Sequence, residues 1–455
     1  MIVIKFGGTS VGDSDRVAEA IDIVSERREQ KPVIVVSALA GVTNDLVAAS
    51  EAACAQRPEE VSEIIRRVRE RHEEVALRLV QHKSDFLEAF LRQLDKQVDE
   101  IDTILRGIAL LGEITPRARD KVMSIGEKLS SVLFASSMKM RALAGEHVHS
   151  EEVIWTDEKF GGASPDMKKT GQEARRVLLP LLERNLIPVM GGFIGRTQAG
   201  ATTTLGRNGS DYSAAIVGAA IGADEVQIWT DVDGLLTCDP RLVPDARVID
   251  TLSFDEAAEL AQFGAKLHPR TLEPAVAANV PVRVLNTHNP RSAGTLITRT
   301  GAAAAQGPRS IARKKHITMV HISSNEMLGA PGFLAKLFTI FAQLAISVDL
   351  IATSEVSVTV TVDEKHDMEE LVRQLHTIAN IVETTDQQCI IAVVGRNLMA
   401  DARTGARVLD ALQGMPVKMI SLGRSGLNLS TVVDDANADA AVKAIHRALF
   451  EGVTG

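Results

Sequence analysis

Short, mainly apolar runs alternate with helical segments over the first 300 residues, and this alternation limits the fold more than any other feature of the chain. Five runs have the composition of strands buried on both faces: Met1–Phe6, Pro32–Ala38, Leu186–Gly192, Glu225–Thr230 and Val280–Asn286. Between them, segments such as Asp15–Glu29 and Ser213–Gly222 have helical patterns. Because strands that alternate with helices form parallel sheets covered by helices, residues 1–300 are predicted to be a doubly wound α/β domain.

The remaining third of the chain repeats a different pattern. Residues 301–308 are small and low in complexity, and are predicted to be a linker. Residues 316–388 follow the order βαββαβ, which is typical of a ferredoxin-like unit. Residues 389–455 begin a second such unit that lacks a final strand, and residues 309–315 could supply that strand. The first βαββαβ unit would then be inserted within the second βαββαβ unit.

Composition excludes several classes of protein. The chain has 455 residues, 45% of them apolar, with 50 basic against 59 acidic residues and a net charge of −9. This charge argues against a protein held to nucleic acid by bulk electrostatics, and 12 Phe, 2 Trp and 1 Tyr provide few surfaces for base stacking. Apolar runs such as Ala214–Ala223 are too short to cross a membrane. With three widely spaced cysteines, the chain is predicted to be cytoplasmic.

The first candidate site follows the first predicted strand. Its residues form the motif Lys5-Phe6-Gly7-Gly8-Thr9-Ser10. Paired glycines let backbone N–H groups approach an anion, a helix N-terminus favours phosphate, and a nearby lysine neutralises charge on a transferring group. The alternative is a tight turn capped by Ser10. No GxxxxGK[ST] motif occurs, and no GxGxxG follows a strand, so neither a Walker loop nor a dinucleotide site is expected.

Two further strand-following segments are rich in glycine, hydroxyl or turn residues. Gly191–Gly195 leads to Thr202–Asp211, whose hydroxyls, glycines and Arg207 suit a pocket for phosphate or carboxylate, although Asp211 could simply cap a helix. The segments Ile228–Gly234 and Asp239–Arg241 accompany another strand, and turn chemistry alone could explain their DG and DPR sequences. From the residues alone, the sequence predicts a phosphate-handling α/β domain followed by two small βαββαβ units, and it does not name the substrate.

At these motifs the chain resembles the amino-acid kinase family, and within it the aspartate kinases of the monofunctional, lysine-sensitive type. Further segments agree in order: VVSALAGVTN, SIGEKLSS, GGFIG, TTTLGRNGSDYSAA, IWTDVDGLLTCDPR, FGAKLHP and ISVDLIATSEVS. The resemblance covers essentially the whole chain. It implies a three-layer αβα kinase domain with a largely parallel sheet, followed by two ACT domains, at 316–388 and at 309–315 plus 389–455. No homoserine dehydrogenase portion follows Gly455, so the fused bifunctional form is not expected.

The resemblance implies phosphorylation of the β-carboxylate of aspartate by ATP, with Mg²⁺ carried by the nucleotide and no dedicated protein metal site. Lys5 would stabilise the transferring phosphoryl group and Asp211 would orient that lysine. Aspartate would contact Ser37, Thr43, Glu127 and Arg207. ATP would contact Lys5, Gly7, Gly8, Thr9, Ser10, Thr230, Asp231, Leu236, Arg241 and Lys266. Leu236 stands where many relatives have Tyr, and FGAKLHP is one residue shorter than the usual segment, which puts the position of Lys266 in question.

The resemblance also implies feedback inhibition by lysine and a homodimer formed through the ACT domains, with a tetramer as the larger alternative. The expected effector residues are Met327, Gly332, Phe333, Leu334, Ser347, Val348, Asp349, Ser354 and Glu355. Asp349 and Glu355 offer negative charge to an effector with two ammonium groups, although both could merely solvate strand ends. Two alternatives for the function are another kinase of this family, such as a glutamate 5-kinase, and a non-catalytic amino-acid sensor.

Overall fold

The computed structural model describes residues 1–79, 85–263, 269–302, 306–328, 330–423 and 425–451. The chain divides into two compact units. The first unit contains Met1–Leu235, Asp250–Phe254 and His268–Gly301, and the second contains Leu236–Ile249, Asp255–Leu267 and Ala302–Gly455. Among the described helices, none is long and apolar enough to span a membrane.

The strands up to residue 302 are, in chain order, β1 (Ile2–Phe6), β2 (Val33–Val36), β3 (Gly145–Val148), β4 (Ile187–Gly191), β5 (Ile194–Arg196), β6 (Thr202–Thr204), β7 (Glu225–Thr230), β8 (Thr251–Ser253), β9 (Val282–Asn286) and β10 (Thr295–Thr298). The helices are α1 (Ser14–Glu26), α2 (Val42–Cys54), α3 (Pro58–Leu79), α4 (Asp85–Leu111), α5 (Pro116–Met123), α6 (Ile125–Met140), α7 (Ser150–Val153), α8 (Met167–Glu183), α9 (Gly209–Ile221), α10 (Phe254–Gln262) and α11 (Pro269–Ala278).

A largely parallel sheet forms the centre of the first unit. Its described strands lie in the order β3-β4-β2-β1-β7-β9-β10-β8, and β10 alone runs antiparallel to its neighbour β9. The residues of β1 and β2 are all buried, because helices cover both faces of the sheet. Phe6 packs between Phe134 and Trp229 in the core, with ring centroids 5.6 and 6.3 Å apart. The predicted α/β fold is confirmed, and the carboxyl ends of β1, β2, β4 and β7 meet at one edge.

The second unit is built on an antiparallel sheet. Its described elements are β11 (Gly307–Ser323), α12 (Phe333–Gln343), β12 (Val348–Thr353), β13 (Ser357–Asp363), α13 (Met368–Leu375), β14 (Ile381–Arg396), α14 (Ala402–Ala411), β15 (Met419–Leu422), β16 (Asn428–Asp434) and α15 (Ala438–Phe450). The strand order is β12-β13-β11-β14-β16-β15. Helices α12 and α13 pack on one hydrophobic core, and α14 and α15 pack on another.

Two long strands are shared by both halves of this sheet. Residues 317–323 of β11 pair with β13, whereas residues 307–314 of the same strand pair with residues 390–396 of β14. The sequence pattern separated each long strand into two. The structure keeps them continuous through an irregularity beside His316, whose φ is +60°. A β-bulge can bend a strand without ending its pairing, so a break in the apolar pattern need not end the strand.

Candidate active site

Lys5 and Asp211 form a buried ion pair at the edge of the sheet where the parallel strands end. Lys5 Nζ lies 2.5 Å from Asp211 Oδ1, and the two side chains are 9% and 10% exposed. Lys5 interrupts the apolar strand β1, and burying its charge without a partner would cost several kcal/mol, on the order of 2–7 for a polar group and more for an ion. The pairing therefore accounts for a lysine in the middle of a buried strand.

Asp211 is held in place by the close packing of helix α9. The helix consists of small and apolar residues, nearly all of them buried. Its first turn lies against Gly192, where an added Cβ would come within 2.6 Å of the Ser210 Cβ. Ser213 Oγ accepts a hydrogen bond from the backbone N–H of Phe193, at 2.8 Å. The glycine-rich β4–β5 turn thus fixes the start of α9 and with it the position of Asp211.

A cavity of about 680 Å³ opens beside this ion pair. Seven of the residues expected from the sequence line it, namely Lys5, Gly8, Ser37, Thr43, Glu127, Arg207 and Asp211. These residues come from β1, the 3₁₀ turn after it, the loop after β2, helix α2, helix α6, the turn before α9 and the first turn of α9. The cavity therefore combines a lysine, a glycine turn, two hydroxyls, two acids and an arginine from distant parts of the chain.

Glu127 is a buried acid in the wall of this cavity. Burial raises the pKa of its carboxyl to about 8, although a backbone hydrogen bond from Ala38 and the charge of Lys5 oppose the rise. Among the described residues, none forms a hydrogen bond with its Oε2 atom. A buried carboxylate oxygen without a partner is costly unless a ligand satisfies it, so Glu127 is suited to accept an ammonium group.

The other residues expected to contact ATP from β1 and β7 lie along the same edge. Gly7 donates a backbone hydrogen bond to the carbonyl of Trp229 at 3.1 Å, and Thr9 and Ser10 follow in a 3₁₀ turn. Ser10 Oγ lies 2.7 Å from Thr287 Oγ1. Thr230 ends β7, and its hydroxyl donates to Asp231 Oδ1 at 3.0 Å. Because β7 pairs in parallel with β1, these residues flank the turn that follows Lys5.

Three other residues expected to contact ATP lie outside the first unit or outside the described residues. Leu236 and Arg241 belong to the second unit. There the carbonyl of Leu236 accepts a hydrogen bond from Ser310 Oγ at 2.7 Å, and the exposed Arg241 pairs with Asp239 at 2.7 Å. Lys266 lies outside the described residues.

Sequence reasoning missed several residues of the cavity wall. The missed residues include Arg119, Asp120, Met123 and Gly161. Phe193 and Thr204 also line the cavity, and they belong to the segments 191–195 and 202–211 that the sequence had singled out. Asp120 is fully buried and accepts hydrogen bonds from Gly161 and Thr204, which lie 41 and 84 residues further along the chain. Thr115 and Pro116 are a recognisable helix start, but nothing local distinguishes Asp120 from an acid on a solvated helix face.

A second cavity, of about 590 Å³, lies in the second unit. Six of the nine expected effector residues line it, namely Met327, Gly332, Phe333, Leu334, Ser354 and Glu355, and Leu328 and Ala330 complete the lining. Gly332 precedes helix α12 with a φ of +88°, a conformation that L residues rarely adopt. The cavity therefore lies between the start of α12 and the turn after β12.

The other three expected effector residues lie at the opposite end of β12. Ser347 is exposed, Val348 packs against the hydrophobic core, and Asp349 pairs with Lys314 at 2.7 Å. A strand rises about 3.3 Å per residue, so the five residues from Asp349 to Ser354 span about 17 Å. Within one chain, the structure thus separates the expected effector residues into two groups.

Comparisons with known proteins agree with this architecture. Residues 1–286 match the model of the amino acid kinase family, and residues 320–378 and 391–449 each match an ACT domain. The chain is 37% identical to lysine-sensitive aspartokinase 3 of Escherichia coli strain K12, over 99% of each chain. It is 38% identical to chloroplastic aspartokinase 1 of Arabidopsis thaliana, over 99% of this chain and 80% of the relative.

Two solved structures also match the chain over nearly its full length. The crystal structure of E. coli aspartokinase III in complex with aspartate and ADP, described as the R-state, is 36% identical in sequence, with a TM-score of 0.86. The same enzyme in complex with lysine and aspartate, described as the T-state, matches with a TM-score of 0.82. Both matches cover 99% of this chain and all of the other.

Proposed function

The chain belongs to the amino acid kinase family and is an aspartokinase with C-terminal ACT domains, and we propose that its first cavity binds aspartate and transfers the γ-phosphoryl group of ATP to it. The product is 4-phospho-L-aspartate, the first intermediate on the route to lysine, threonine and methionine. In this transfer a β-carboxylate oxygen of aspartate forms a bond to the γ-phosphorus. The bond from that phosphorus to the β–γ bridging oxygen breaks, and ADP leaves.

Phosphoryl transfer to a carboxylate places few demands on the protein. The acceptor is already an anionic nucleophile, so no general base is required, and catalysis consists of positioning and charge neutralisation. Lys5 supplies the cation for the transferring group. Asp211 holds Lys5 in place through the 2.5 Å ion pair. Water has little access to this pair, because both side chains are almost fully buried.

The observation that carries the substrate assignment is the buried carboxyl of Glu127, in the same cavity as Lys5 and Asp211, whose Oε2 has no hydrogen-bond partner among the described residues. An α-ammonium group would satisfy Glu127. The guanidinium of Arg207 would pair with the α-carboxylate in a planar, two-pronged geometry, which suits arginine better than lysine. Ser37 and Thr43 would donate hydroxyl hydrogen bonds to the same ligand. The β-carboxylate is then free to face the phosphoryl group.

The nucleotide is proposed to lie along the turn after β1. Gly7, Gly8, Thr9 and Ser10 form this turn, and the backbone N–H of Gly8 and the hydroxyl of Thr9 suit its phosphates. The N–H of Gly7 and the hydroxyl of Ser10 hold the turn itself, because they already contact Trp229 and Thr287. Thr230 and Asp231, at the end of β7, extend the proposed ATP site. We assign Mg²⁺ to the phosphates of ATP, where it would neutralise their charge. The donor set fits that assignment, because Asp211 is already paired with Lys5 and Asp120 already accepts four hydrogen bonds.

The second unit is proposed to be regulatory, with lysine as its effector and the two groups of expected effector residues as the binding determinants. The proposed domain boundaries are 1–300 for the kinase domain, 301–308 for the linker, 316–388 for the first ACT domain, and 309–315 plus 389–455 for the second. The pairing of residues 307–314 with residues 390–396 supports this discontinuous second domain. A homodimer through the ACT domains is part of the proposal.

A coupled ADP-release assay tests the proposed function. We expect turnover with aspartate and none with glutamate or UMP as the acceptor. Arg207→Lys should raise KM for aspartate about tenfold or more and leave KM for ATP unchanged, since a lysine cannot reproduce the two-pronged contact. Arg176→Lys is the matched control, because Arg176 pairs with Glu173 on the surface of α8. If Arg207→Lys weakened ATP instead, the substrate assignment would be wrong, and if no acceptor supported turnover, a non-catalytic sensor would be favoured.

A further inference from the structure

Asp120 is a buried acid in the wall of the first cavity with an unusually complete set of donors. Its two carboxylate oxygens each lie 3.0 Å from the backbone nitrogen of Gly161. Oδ2 accepts from the backbone nitrogen of Thr204 at 2.8 Å, and Oδ1 accepts from the Thr204 hydroxyl at 2.7 Å. Among the described residues, no Lys or Arg forms an ion pair with it, so neutral donors alone hold this buried carboxylate.

These contacts join three segments of the chain. Asp120 lies on α5, Thr204 ends β6, and Gly161 belongs to the loop between α7 and α8. The backbone N–H of Ala163 in the same loop donates to the carbonyl of Thr204 at 2.9 Å, which adds a further link between the loop and β6. Removing the carboxylate would leave the buried N–H and O–H donors of Thr204 unsatisfied and would release the partly buried N–H of Gly161.

The turn that these segments hold is the one that carries Arg207. Gly206 has a φ of +79°, and a Cβ added to it would lie 3.3 Å from the Gly162 Cα and 3.4 Å from the Gly161 carbonyl oxygen. The turn therefore rests on the loop that Asp120 holds, and it begins two residues after Thr204. Asp120 therefore forms hydrogen bonds with both segments that hold the turn, through Gly161 and Thr204.

Arg207 depends on that support because the turn carries its backbone. It is exposed, and within the described part of the chain it has no ion pair and no side-chain hydrogen bond. The backbone of the turn thus sets the point from which the Arg207 side chain starts, and with it the part of the cavity that the guanidinium can reach. A change in that backbone would shift this point and strain a two-pronged contact with the substrate, since hydrogen bonds weaken steeply as their geometry departs from linear.

We propose that Asp120 is the positioning residue of the aspartate subsite, fixing the backbone from which Arg207 reaches the substrate carboxylate. This inference rests on the proposed role of Arg207 in binding aspartate. Asp120 touches neither the substrate nor the transferring phosphoryl group in this assignment. Its effect should therefore appear in the affinity for aspartate and not in the chemical step.

The test is steady-state kinetics of Asp120→Asn, with both substrates varied. An asparagine has the same shape but directs an NH₂ group at a donor, which breaks at least one charge-assisted hydrogen bond. We expect KM for aspartate to rise about tenfold to a hundredfold, while kcat at saturating aspartate and KM for ATP stay within about twofold of wild type. Thr204→Val, which removes only the hydroxyl donor, should change KM for aspartate in the same direction by a smaller factor.

Asp166→Asn is the matched control, because Asp166 caps α8 by accepting from the backbone of Lys169 and is not in the cavity wall. It should leave KM for aspartate unchanged. An unchanged KM for aspartate in folded Asp120→Asn would overturn the inference, as would a parallel change in both KM values and kcat with a lowered melting temperature. If Asp120→Asn failed to fold, an unchanged KM in Thr204→Val would overturn it. Lack of aspartate-dependent turnover in the wild type would instead refute the proposed function.

Discussion

The ammonium group of Lys314 lies 2.7 Å from Asp349 Oδ2 and also pairs with Asp363, at 2.8 Å. Burial raises the pKa of Asp349, and the hydrogen bond and charge of Lys314 oppose that rise. The acid proposed to attract the effector lysine therefore already holds a lysine side chain from its own chain. An effector ammonium that reached Asp349 would compete with Lys314, which would retain Asp363 as a partner.

This arrangement allows a matched pair of variants to test the effector site. Asp349→Asn should raise the lysine concentration for half-inhibition about tenfold or more, because it removes the charge that attracts an ammonium group. Asp363→Asn removes a charge from the same Lys314 but lies outside the proposed effector residues, so inhibition should persist. Titration of both variants with lysine checks this. Equal loss of inhibition in the two would show that Asp349 acts only through Lys314.

Glu355 should behave like Asp349, since it borders the second cavity. Glu355→Gln keeps the size of the side chain and removes its charge, so we expect weaker inhibition by lysine with unchanged turnover in its absence. Glu383→Gln, on β14 and outside the cavity lining, is the control. Inhibition curves of Glu355→Gln and wild type that coincide would place the effector elsewhere.

Lys5 should determine the chemical step. In Lys5→Met we expect kcat to fall by about 10²–10³, because the cation no longer stabilises the transition state. The variant also leaves Asp211 buried without a partner, so Lys5→Met/Asp211→Asn removes that charge as well. The double variant should recover the melting temperature of the wild type and remain inactive. A folded variant without Lys5 that kept the wild-type kcat would refute the assignment.

The sequence revealed the cavity residues whose positions follow from strand order. Lys5 and Gly8 lie at the carboxyl end of the parallel strand β1, and the carboxyl ends of parallel strands meet at one edge of a sheet. Arg207 and Asp211 were also predicted from a glycine-rich segment, but that segment follows β6, which pairs antiparallel with β5 outside the large sheet, so the structure was needed to bring them to Lys5. The roles assigned to Ser37, Thr43 and Glu127 came from the resemblance to aspartate kinases, and they remain proposals.

Other features required tertiary structure. The partners of Asp120 are 41 and 84 residues away, so no local pattern marks it. Asp349 and Ser354 are close in sequence, and only the extended backbone between them shows that one small ligand cannot contact both within one chain. The sequence pattern placed one strand at 309–315 and began another at His316, whereas β11 continues through that boundary because β14 supplies hydrogen-bond partners on both sides.

Aspartate binding should release a proton near neutral pH. Burial raises the pKa of Glu127 to about 8 in the empty cavity, so the group is mostly protonated at pH 7. An α-ammonium group favours the carboxylate form, and the bound pKa should therefore fall. We expect KM for aspartate to decrease about tenfold per pH unit as pH rises toward 8, then to level off. Titration calorimetry in buffers of different ionisation enthalpy should show release of close to one proton.

Glu127→Gln provides the control for this pH dependence. The amide cannot ionise, so aspartate should bind weakly, without proton release and with a KM that does not change between pH 6 and 8. Proton release that persisted in Glu127→Gln would have to come from another group. In that case Glu127 would not be the acid that meets the ammonium group.

Gly192→Ala tests how the start of α9 positions Asp211. The added methyl group would lie 2.6 Å from the Ser210 Cβ and 2.7 Å from the Ser210 Cα, so the first turn of the helix must move. Overpacking of this kind costs about 1–3 kcal/mol. It should lower the melting temperature, and it should also reduce kcat, because Asp211 follows Ser210 and would no longer hold Lys5. Gly107→Ala in α4, where a methyl group meets open space, should instead stabilise by about 0.5–1 kcal/mol and leave kcat unchanged. Thermal melting and kcat of the two variants test this prediction. A Gly192→Ala protein that is destabilised yet fully active would show that the packing of α9 does not determine the position of Asp211 beside Lys5.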